Sequence, residues 1–275
     1  MHILITFALD AEFAPWRKLR PFRPGKWGLA DAHWTEIDGA QVGVVFTGIG
    51  PRQAALKISE IVWASNETAR ICISAGLAGA LRPEYKLADV LAARTVSCAS
   101  AQGPRESRVI DCDPSLVALA GECGARIAGR VHTAERVIST AGEKQRLGAA
   151  ADAVEMESFE VLKESMAYGV PSVVIRAISD TAEEDLPLDM DRILTGDGRV
   201  SMSRVLGQLA RRPWALPGLL RLGARSRRAA EALASFLDAY VIALARQTNQ
   251  TSTRSSTGEH AWDVSPGREV EKRPA

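Results

Sequence analysis

The chain has 275 residues, of which 46% are apolar and 24% are charged, and its formal net charge is +1. This composition is typical of a globular protein with one large core, and it excludes a disordered chain. No apolar run approaches the roughly 18 residues that a membrane-spanning helix needs. The near-zero net charge gives no reason to expect a nucleic-acid partner.

Short apolar runs that are rich in β-branched residues recur along the chain and predict buried strands. They lie at residues 2–8, 41–48, 69–76, 89–97 and 171–179. Stretches at helical spacing, 50–65 and 157–169, lie among them. This alternation predicts an α/β fold with a mixed, largely parallel central sheet flanked by helices. The candidate motifs follow the strands, which predicts one shared cleft at the strand ends.

A basic segment begins beyond the last predicted strand. From Arg199 to Arg228 there are eight arginines and no acidic residue. We expect residues 186–228 to form a helical insertion of two or three short amphipathic helices, broken by Pro213 and Pro217. Such a segment is suited to facing an anionic surface.

Residues 1–247 are expected to form a single domain that ends with a helix over 229–246. The polar tail, 248–275, is expected to be disordered. The chain begins with acidic residues close to a short apolar run, which does not fit a signal peptide, so we expect a cytoplasmic protein. The cysteines show no C-x-x-C spacing, and no metal site is predicted.

Three acids near predicted strand ends, Glu12, Glu157 and Asp180, are candidates for acid–base chemistry, and one reaction that such a set could carry out is the cleavage of a purine N-glycosidic bond. The departing purine must receive a proton at N7, the ribose hydroxyls must be held, and water must be activated or phosphate must be bound. Three separated carboxylates suffice for hydrolysis.

Five motifs in order resemble those of the purine nucleoside phosphorylase and methylthioadenosine/S-adenosylhomocysteine nucleosidase superfamily. They are ITFALDAEF (5–13), VVFTGIGPRQAA (44–55), GLAGALRPEYKLAD (76–89), AVEMES (153–158) and VVIRAISD (173–180). The resemblance spans residues 2 to 183 and implies a three-layer nucleoside phosphorylase-like fold. It also implies a homo-oligomer without a cofactor, with phosphate as a candidate co-substrate.

The resemblance implies a role for each residue that matches a family motif. Glu12 would activate the attacking water, Asp180 would protonate or hydrogen-bond purine N7, and Glu157 would bind the ribose hydroxyls. The remaining binding residues implied are Met156 against the sugar, Arg176 and Ser179 as supports of the acids, Val137 and Ile138 at the base, and Glu155, Gly48, Gly50 and Leu77 around the ligand.

Each of these residues also has a plainer interpretation. Glu12 fits an ordinary acid at a helix N-terminus, and Glu155 fits a structural ion pair with Arg176. Asp180 fits a helix N-cap, since SDTAEE is a plausible capping sequence. The two glycines, Gly48 and Gly50, fit a tight turn as well as they fit close approach to a ligand.

The chain departs from the family pattern at the place where the nucleophile would lie. Leu77 occupies a position where the family often has a small hydroxyl residue, and Ser74 lies where phosphorylases of the superfamily have a phosphate-binding arginine. Phosphate therefore lacks one expected ligand, which favours water as the nucleophile. The choice between hydrolysis and phosphorolysis stays open at this point.

The basic insertion resembles that of the hopanoid-associated phosphorylase branch, and the apolar residue at position 77 fits the same branch. This resemblance implies a 5′-modified adenosine, such as the lipid-linked adenosylhopane. Amphipathic helices over 199–228 would then meet the membrane surface. They could instead cover a sheet edge or form a subunit contact. The alternative functions are a non-catalytic nucleoside-binding protein on the same fold and a module that binds lipid surfaces.

Overall fold

Strands and helices alternate along the first 180 residues, as the apolar runs predict. A computed structural model describes residues 1–64, 69–100, 103–188, 193, 195 and 201–257. The strands are β1 (His2–Phe7), β2 (Arg23–Trp27), β3 (Ala30–Ile37), β4 (Ala40–Phe46), β5 (Ile71–Ala80), β6 (Val90–Ser100), β7 (Gly103–Asp111), β8 (Arg126–Thr133), β9 (Ala153–Glu155) and β10 (Ser172–Asp180). The helices are α1 (Asp10–Leu19), α2 (Pro51–Ala64), α3 (Pro114–Glu122), α4 (Ala141–Gly148), α5 (Ser158–Ala167), α6 (Met202–Arg211) and α7 (Leu216–Thr257).

Strand β5 belongs to two parts of one sheet. On one side it pairs with β1, and the order continues through β4, β3 and β2. On the other side it pairs with β10, and the pairings through β6, β8 and β9 return to β5, so these strands close into a barrel. The sheet is mixed, as predicted. It contains more antiparallel pairing than predicted, because hairpins join β2, β3 and β4 and because β10 and β9 each pair antiparallel within the barrel.

Helices cover both faces of the sheet. In β1, Ile3 and Ile5 pack in the cluster that contains α1 and α7, whereas Leu4 packs with α2 and α5 on the other face. This alternation is the two-residue period of a strand that is buried on both sides. At the α1–α7 contact, Asp238 accepts hydrogen bonds from Trp16 Nε1 and from the Arg20 guanidinium.

The predicted apolar face of the last helix is buried on the sheet side. The helix itself is longer than predicted, because α7 runs from Leu216 to Thr257. Pro217 does not break it, since Pro217 lies in the first turn, where a missing backbone N–H removes no helical hydrogen bond. The helix also continues through residues 248–257, which we expected to be disordered. Residues 258–275 lie outside the described residues.

Over residues 201–228 the basic segment is mostly helical. Helix α6 is followed by a 3₁₀ turn, Pro213–Ala215, so Pro213 does separate two helices as predicted. Residues 189–192, 194 and 196–200, among them Arg199, lie outside the described residues. Across the described chain, no helix has both the length and the apolar run for crossing a membrane.

Candidate active site

The three predicted acids line one cavity at the ends of β1, β9 and β10. The cavity has a volume of about 190 Å³ and is open to solvent. Its lining residues are Ala8, Leu9, Glu12, Ile49, Leu77, Ala78, Gly79, Arg136, Val137, Ile138, Val154, Glu155, Met156, Glu157, Ser179, Asp180 and Leu186. Residues that are far apart in the sequence therefore meet at one site.

Glu12 lies in the first turn of α1 and points into the cavity. Its Oε2 accepts hydrogen bonds from the backbone N–H groups of Ala8 (3.0 Å) and Leu9 (3.2 Å), and its Oε1 accepts one from Leu77 N–H (3.0 Å). Burial raises the pKa of Glu12, and nearby Arg176 together with these donors opposes the rise. The plainer interpretation is therefore also correct, since Glu12 caps the helix and faces the cavity at once. A raised pKa suits a general base near neutral pH.

Arg176 holds the floor of the site and is 1% exposed. Its Nη2 lies 2.5 Å from Glu155 Oε2, 2.7 Å from Ser158 Oγ and 3.2 Å from Ser74 Oγ. Its Nη1 packs against Gly76, where an added Cβ would lie only 2.0 Å away. A residue with a side chain at position 76 would therefore displace the guanidinium.

Glu155 has the structural ion pair that its plainer interpretation predicted. Besides Arg176, its Oε2 accepts from the backbone N–H groups of Glu157 (2.9 Å) and Ser158 (2.8 Å), at the start of α5, and its Oε1 accepts from Thr133 Oγ1. Both oxygens are thus occupied by the protein. Although Glu155 borders the cavity, its main contacts fix the loop that carries the neighbouring acid.

Glu157 is the acid with the least compensated charge. Its Oε1 accepts from the backbone N–H of Gly50 (2.9 Å), and its Oε2 lies 3.9 Å from Arg176 Nη2. Burial, followed by the negative charge of Glu155, raises its pKa to about 8, against the opposing effect of Arg176. A perturbed carboxyl of this kind in a cleft is a mark of a functional site.

Replacing Glu157 with glutamine is expected to stabilise the fold at alkaline pH. Because the folded pKa lies above 4.5, the folded protein keeps a proton that the unfolded chain releases between pH 4.5 and about 8. The stability that this proton gives is complete below pH 4.5 and is lost as pH rises through about 8. Melting curves at about pH 5.5, 7 and 8.5 should show the variant gaining over the parent as pH rises, by about 2–4 °C per kcal/mol.

Glu36→Gln, a change at an exposed strand residue, is the matched control and should show no such gain. A stability difference between Glu157→Gln and the parent that stays constant with pH would contradict the raised pKa.

Asp180 ends β10 at an irregularity of the strand. The register between β10 and β5 shifts between Ile178 and Asp180, as at a β-bulge. Both Ser179 and Asp180 consequently line the cavity, whereas a regular strand would send them to opposite faces. Ser179 Oγ donates to Asp180 Oδ1 (2.8 Å). Gly79 leaves room for the carboxylate, because an added Cβ there would lie 2.9 Å from Oδ2.

The loop after β10 rules out the capping interpretation of Asp180. Residues 181–188 form turns and bends without a helix. Lys144 Nζ, from α4, lies 2.5 Å from Asp180 Oδ2. Asp180 is therefore held by a serine on one oxygen and by a lysine on the other.

Comparison with known proteins identifies the family of the chain. Residues 3–208, three quarters of the chain, match the model of the family described as the phosphorylase superfamily. The chain belongs to the phosphorylase superfamily.

Two curated members of the superfamily show the level of similarity. The 5′-methylthioadenosine/S-adenosylhomocysteine nucleosidase of Actinobacillus succinogenes is 28% identical over 205 residues, which cover 67% of this chain and 87% of the relative. The aminodeoxyfutalosine nucleosidase of Campylobacter jejuni is 25% identical over 224 residues, which cover 75% and 97%. The family match and these relatives confirm the predicted enzyme class, a nucleoside phosphorylase or nucleosidase.

A solved structure confirms the predicted fold. The futalosine hydrolase of Helicobacter pylori superposes with a TM-score of 0.67 at 21% identity, covering 88% of this chain and 97% of the other. The neighbour thus shares the predicted α/β fold, with a mixed central sheet between helices.

Most of the predicted binding residues of this superfamily member line the cavity. Val137, Ile138 and Met156 form an apolar part of the cavity wall, and Leu77 lies beside Glu12. Gly48, Gly50 and Arg176 do not belong to the wall. The two glycines, with φ of 78° and 100°, make the turn that presents Ile49 to the cavity, and Gly50 supports Glu157. Arg176 lies beneath the acids and acts through them.

The cavity is poor in positive charge. Among the described residues that line it, Arg136 is the single cation, and Arg136 is exposed and paired with Glu143. Ser74, at the position of the phosphorylase arginine, is buried against Arg176 and Ser158 outside the cavity wall. In the described part of the chain, no group of three or more His, Cys, Asp or Glu side chains could hold a metal ion.

Proposed function

We propose that this superfamily member hydrolyses the N-glycosidic bond of a 5′-modified adenosine and releases adenine. The observation that carries the proposal is the convergence of Glu12, Glu157 and Asp180 on one cavity. The names of the relatives, nucleosidases for methylthioadenosine, S-adenosylhomocysteine and aminodeoxyfutalosine, support the substrate class. The cytoplasmic location and the homo-oligomeric state stay predictions from the sequence.

The three acids divide the reaction among them. Glu12 takes a proton from water while the water oxygen bonds to C1′ of the ribose. The electron pair of the C1′–N9 bond leaves with the purine, and N7 takes up a proton, supplied from solvent, beside Asp180. The Glu157 carboxyl would hydrogen-bond the ribose hydroxyls and so hold the sugar in place while the bond breaks. Glu12 then returns its proton to solvent, so the products are neutral base and free sugar.

The charges of the site favour water over phosphate. A phosphate dianion in the cavity would lie beside the acidic side chains of Glu12, Glu157 and Asp180, with Arg136 as the single cation in the described cavity wall. Like charges in a partly desolvated site repel strongly. A neutral water molecule is not repelled in this way, and the carboxylate oxygens of Glu12 can accept its hydrogen bonds and orient it.

Product analysis tests the activity and the nucleophile together. The protein is incubated with methylthioadenosine, S-adenosylhomocysteine, adenosine and a 5′-alkyl adenosine, with and without phosphate, in ¹⁸O-labelled water. We expect adenine without phosphate and one ¹⁸O atom in the sugar. Sugar 1-phosphate that forms only when phosphate is present would contradict hydrolysis. Tight adenosine binding without adenine from any substrate would favour the non-catalytic binding protein.

We also propose that the substrate carries a lipid-like 5′ group, as the hopanoid-associated branch implies. The basic segment starts at the rim of the cavity, since Leu186 lines it and Glu184 pairs with Arg225 in α7. The segment exposes large apolar side chains, among them Trp214 at 74% and Leu220 at 66%. Apolar side chains among arginines are suited to the surface of an anionic bilayer.

Vesicle binding tests the membrane part of this proposal. Vesicles with anionic lipid should bind the protein at low salt, and binding should weaken as salt screens the arginines. Replacing Trp214 and Leu220 with serine should reduce binding while adenine release from methylthioadenosine stays at the parent rate. If the parent binds no vesicles at low salt, the exposed side chains serve another contact, such as one between subunits.

A further inference from the structure

Lys144 is a buried cation that the proposed reaction does not use. It lies in α4, which has a polar sequence, and yet it is 0% exposed. A buried lysine is costly unless its charge is paired and each of its three N–H groups has an acceptor. The groups that accept hydrogen bonds from Lys144 therefore indicate its role.

The ammonium of Lys144 has three acceptors in one short stretch of chain. Nζ lies 2.5 Å from Asp180 Oδ2, 2.8 Å from the carbonyl oxygen of Thr181 and 2.9 Å from that of Glu184. The same stretch is tied to α4 at another point, where the backbone N–H of Ala141 donates to Asp185 Oδ1 at 2.7 Å. Lys144 thus fixes both the carboxylate and the loop that follows it.

These contacts limit what Asp180 can offer a ligand. Lys144 donates to Oδ2 and Ser179 donates to Oδ1. An ionised carboxylate has about four acceptor sites and no donor, so the sites left over can only accept hydrogen bonds. Such a carboxylate matches a purine that presents N–H groups, namely the 6-amino group and a protonated N7.

We propose that Lys144 is a positioning residue, which holds Asp180 as an ionised hydrogen-bond acceptor for the N7–H of the departing purine. The inference rests on the proposed function and decides between the two roles that Asp180 could have there. The proton reaches N7 from water, and Asp180 accepts the hydrogen bond from the new N7–H without giving up a proton. Its negative charge then stabilises the protonated base as the C1′–N9 bond breaks.

Two base analogues test this role without any turnover. 9-Deazaadenine carries a permanent N7–H, whereas 7-deazaadenine has a C–H at that place. The parent protein should bind 9-deazaadenine about 10–100-fold more tightly, the range expected for one hydrogen bond to a charged group. In Lys144→Met the carboxylate loses its counter-charge, so this preference should fall towards one. Lys144→Arg, which keeps the charge, should retain most of the preference.

Kinetic constants of the same variants distinguish the loss of a residue that positions Asp180 from a general disruption of the fold. Lys144→Met should lower kcat for methylthioadenosine at least tenfold with KM near the parent value. Lys163→Met, a change at an exposed lysine of α5, is the matched control and should match the parent in both assays. In an Asp180→Asn background, Lys144→Met should change neither kcat nor the preference between the bases, because Lys144 acts through Asp180.

The outcomes distinguish this inference from the proposed function. A folded Lys144→Met variant that keeps the full preference for 9-deazaadenine would overturn the inference, and so would a further loss of kcat in the Asp180→Asn background. Should Lys144→Met fail to fold, the double variant, which removes both buried charges, still provides that second measurement. A parent protein that prefers 9-deazaadenine but releases no adenine from any nucleoside would sink the proposed function and leave the role of Lys144 intact.

Discussion

Replacing Asp180 with asparagine is expected to lower kcat by about 10²–10⁴-fold, with a smaller effect on KM. Asparagine fills nearly the same space at the end of β10, but it carries no charge to stabilise a protonated N7. The substitution also removes the counter-charge of the buried Lys144 ammonium, so the melting temperature should fall as well. Initial rates of adenine release from methylthioadenosine, with melting curves of the same samples, measure both effects.

Asp31→Asn provides the matched control for this prediction. Asp31 lies on β3, and its exposed side chain pairs with Lys26 away from the cavity. Its replacement should leave both the rate and the melting temperature near the parent values. An Asp180→Asn variant that is folded and turns over at the parent rate would remove Asp180 from the reaction.

Replacing Glu12 with glutamine is expected to lower kcat by a similar factor, about 10²–10⁴-fold, for a different reason. Glutamine cannot take a proton from the attacking water. Its amide also has one oxygen in place of two, so the backbone N–H of Leu77 or those of Ala8 and Leu9 lose an acceptor. Binding of 9-deazaadenine should be unchanged, because Glu12 acts at the sugar and water side.

That binding measurement distinguishes a catalytic loss from a distorted site. Glu36→Gln serves again as the control and should keep the parent kcat. A Glu12→Gln variant that retains the parent kcat would contradict the role of Glu12 as the base, and one that also fails to bind 9-deazaadenine would indicate that Glu12 mainly holds the loop.

The sequence predicted Glu12 and Asp180 near the ends of recognisable strands, whereas Glu157 was identified through its motif. Apolar runs located β1 and β10, and parallel strands bring their carboxyl ends to the same edge. The strand pattern therefore predicted that Glu12 and Asp180 share a cleft, and the resemblance of the motifs implied their roles. The plainer interpretation of Glu155, an ion pair with Arg176, also came from the sequence, although Arg176 lies in the middle of β10.

Features that depend on contacts between distant parts of the chain could not be predicted from the sequence. Closure of the barrel requires β9, a strand of three residues that no periodicity could reveal. Lys144 lies in a polar helix and looks like a surface residue until α4 is placed over the end of β10. The hairpin of β3 and β4 was missed although it has a local sequence signal. Asp38-Gly39 is a dipeptide typical of a two-residue hairpin turn, and both residues have positive φ in the structure.

A complex with an uncleavable nucleoside tests the central claim most directly. 9-Deazaadenosine has a carbon–carbon glycosidic bond, so a crystal structure would show it intact in the cavity. The account predicts N7–H within hydrogen-bonding distance of Asp180, the ribose hydroxyls on Glu157, and a water between Glu12 and C1′. A nucleoside bound elsewhere, or one whose base, diol and C1′ face away from these three carboxylates, would contradict it.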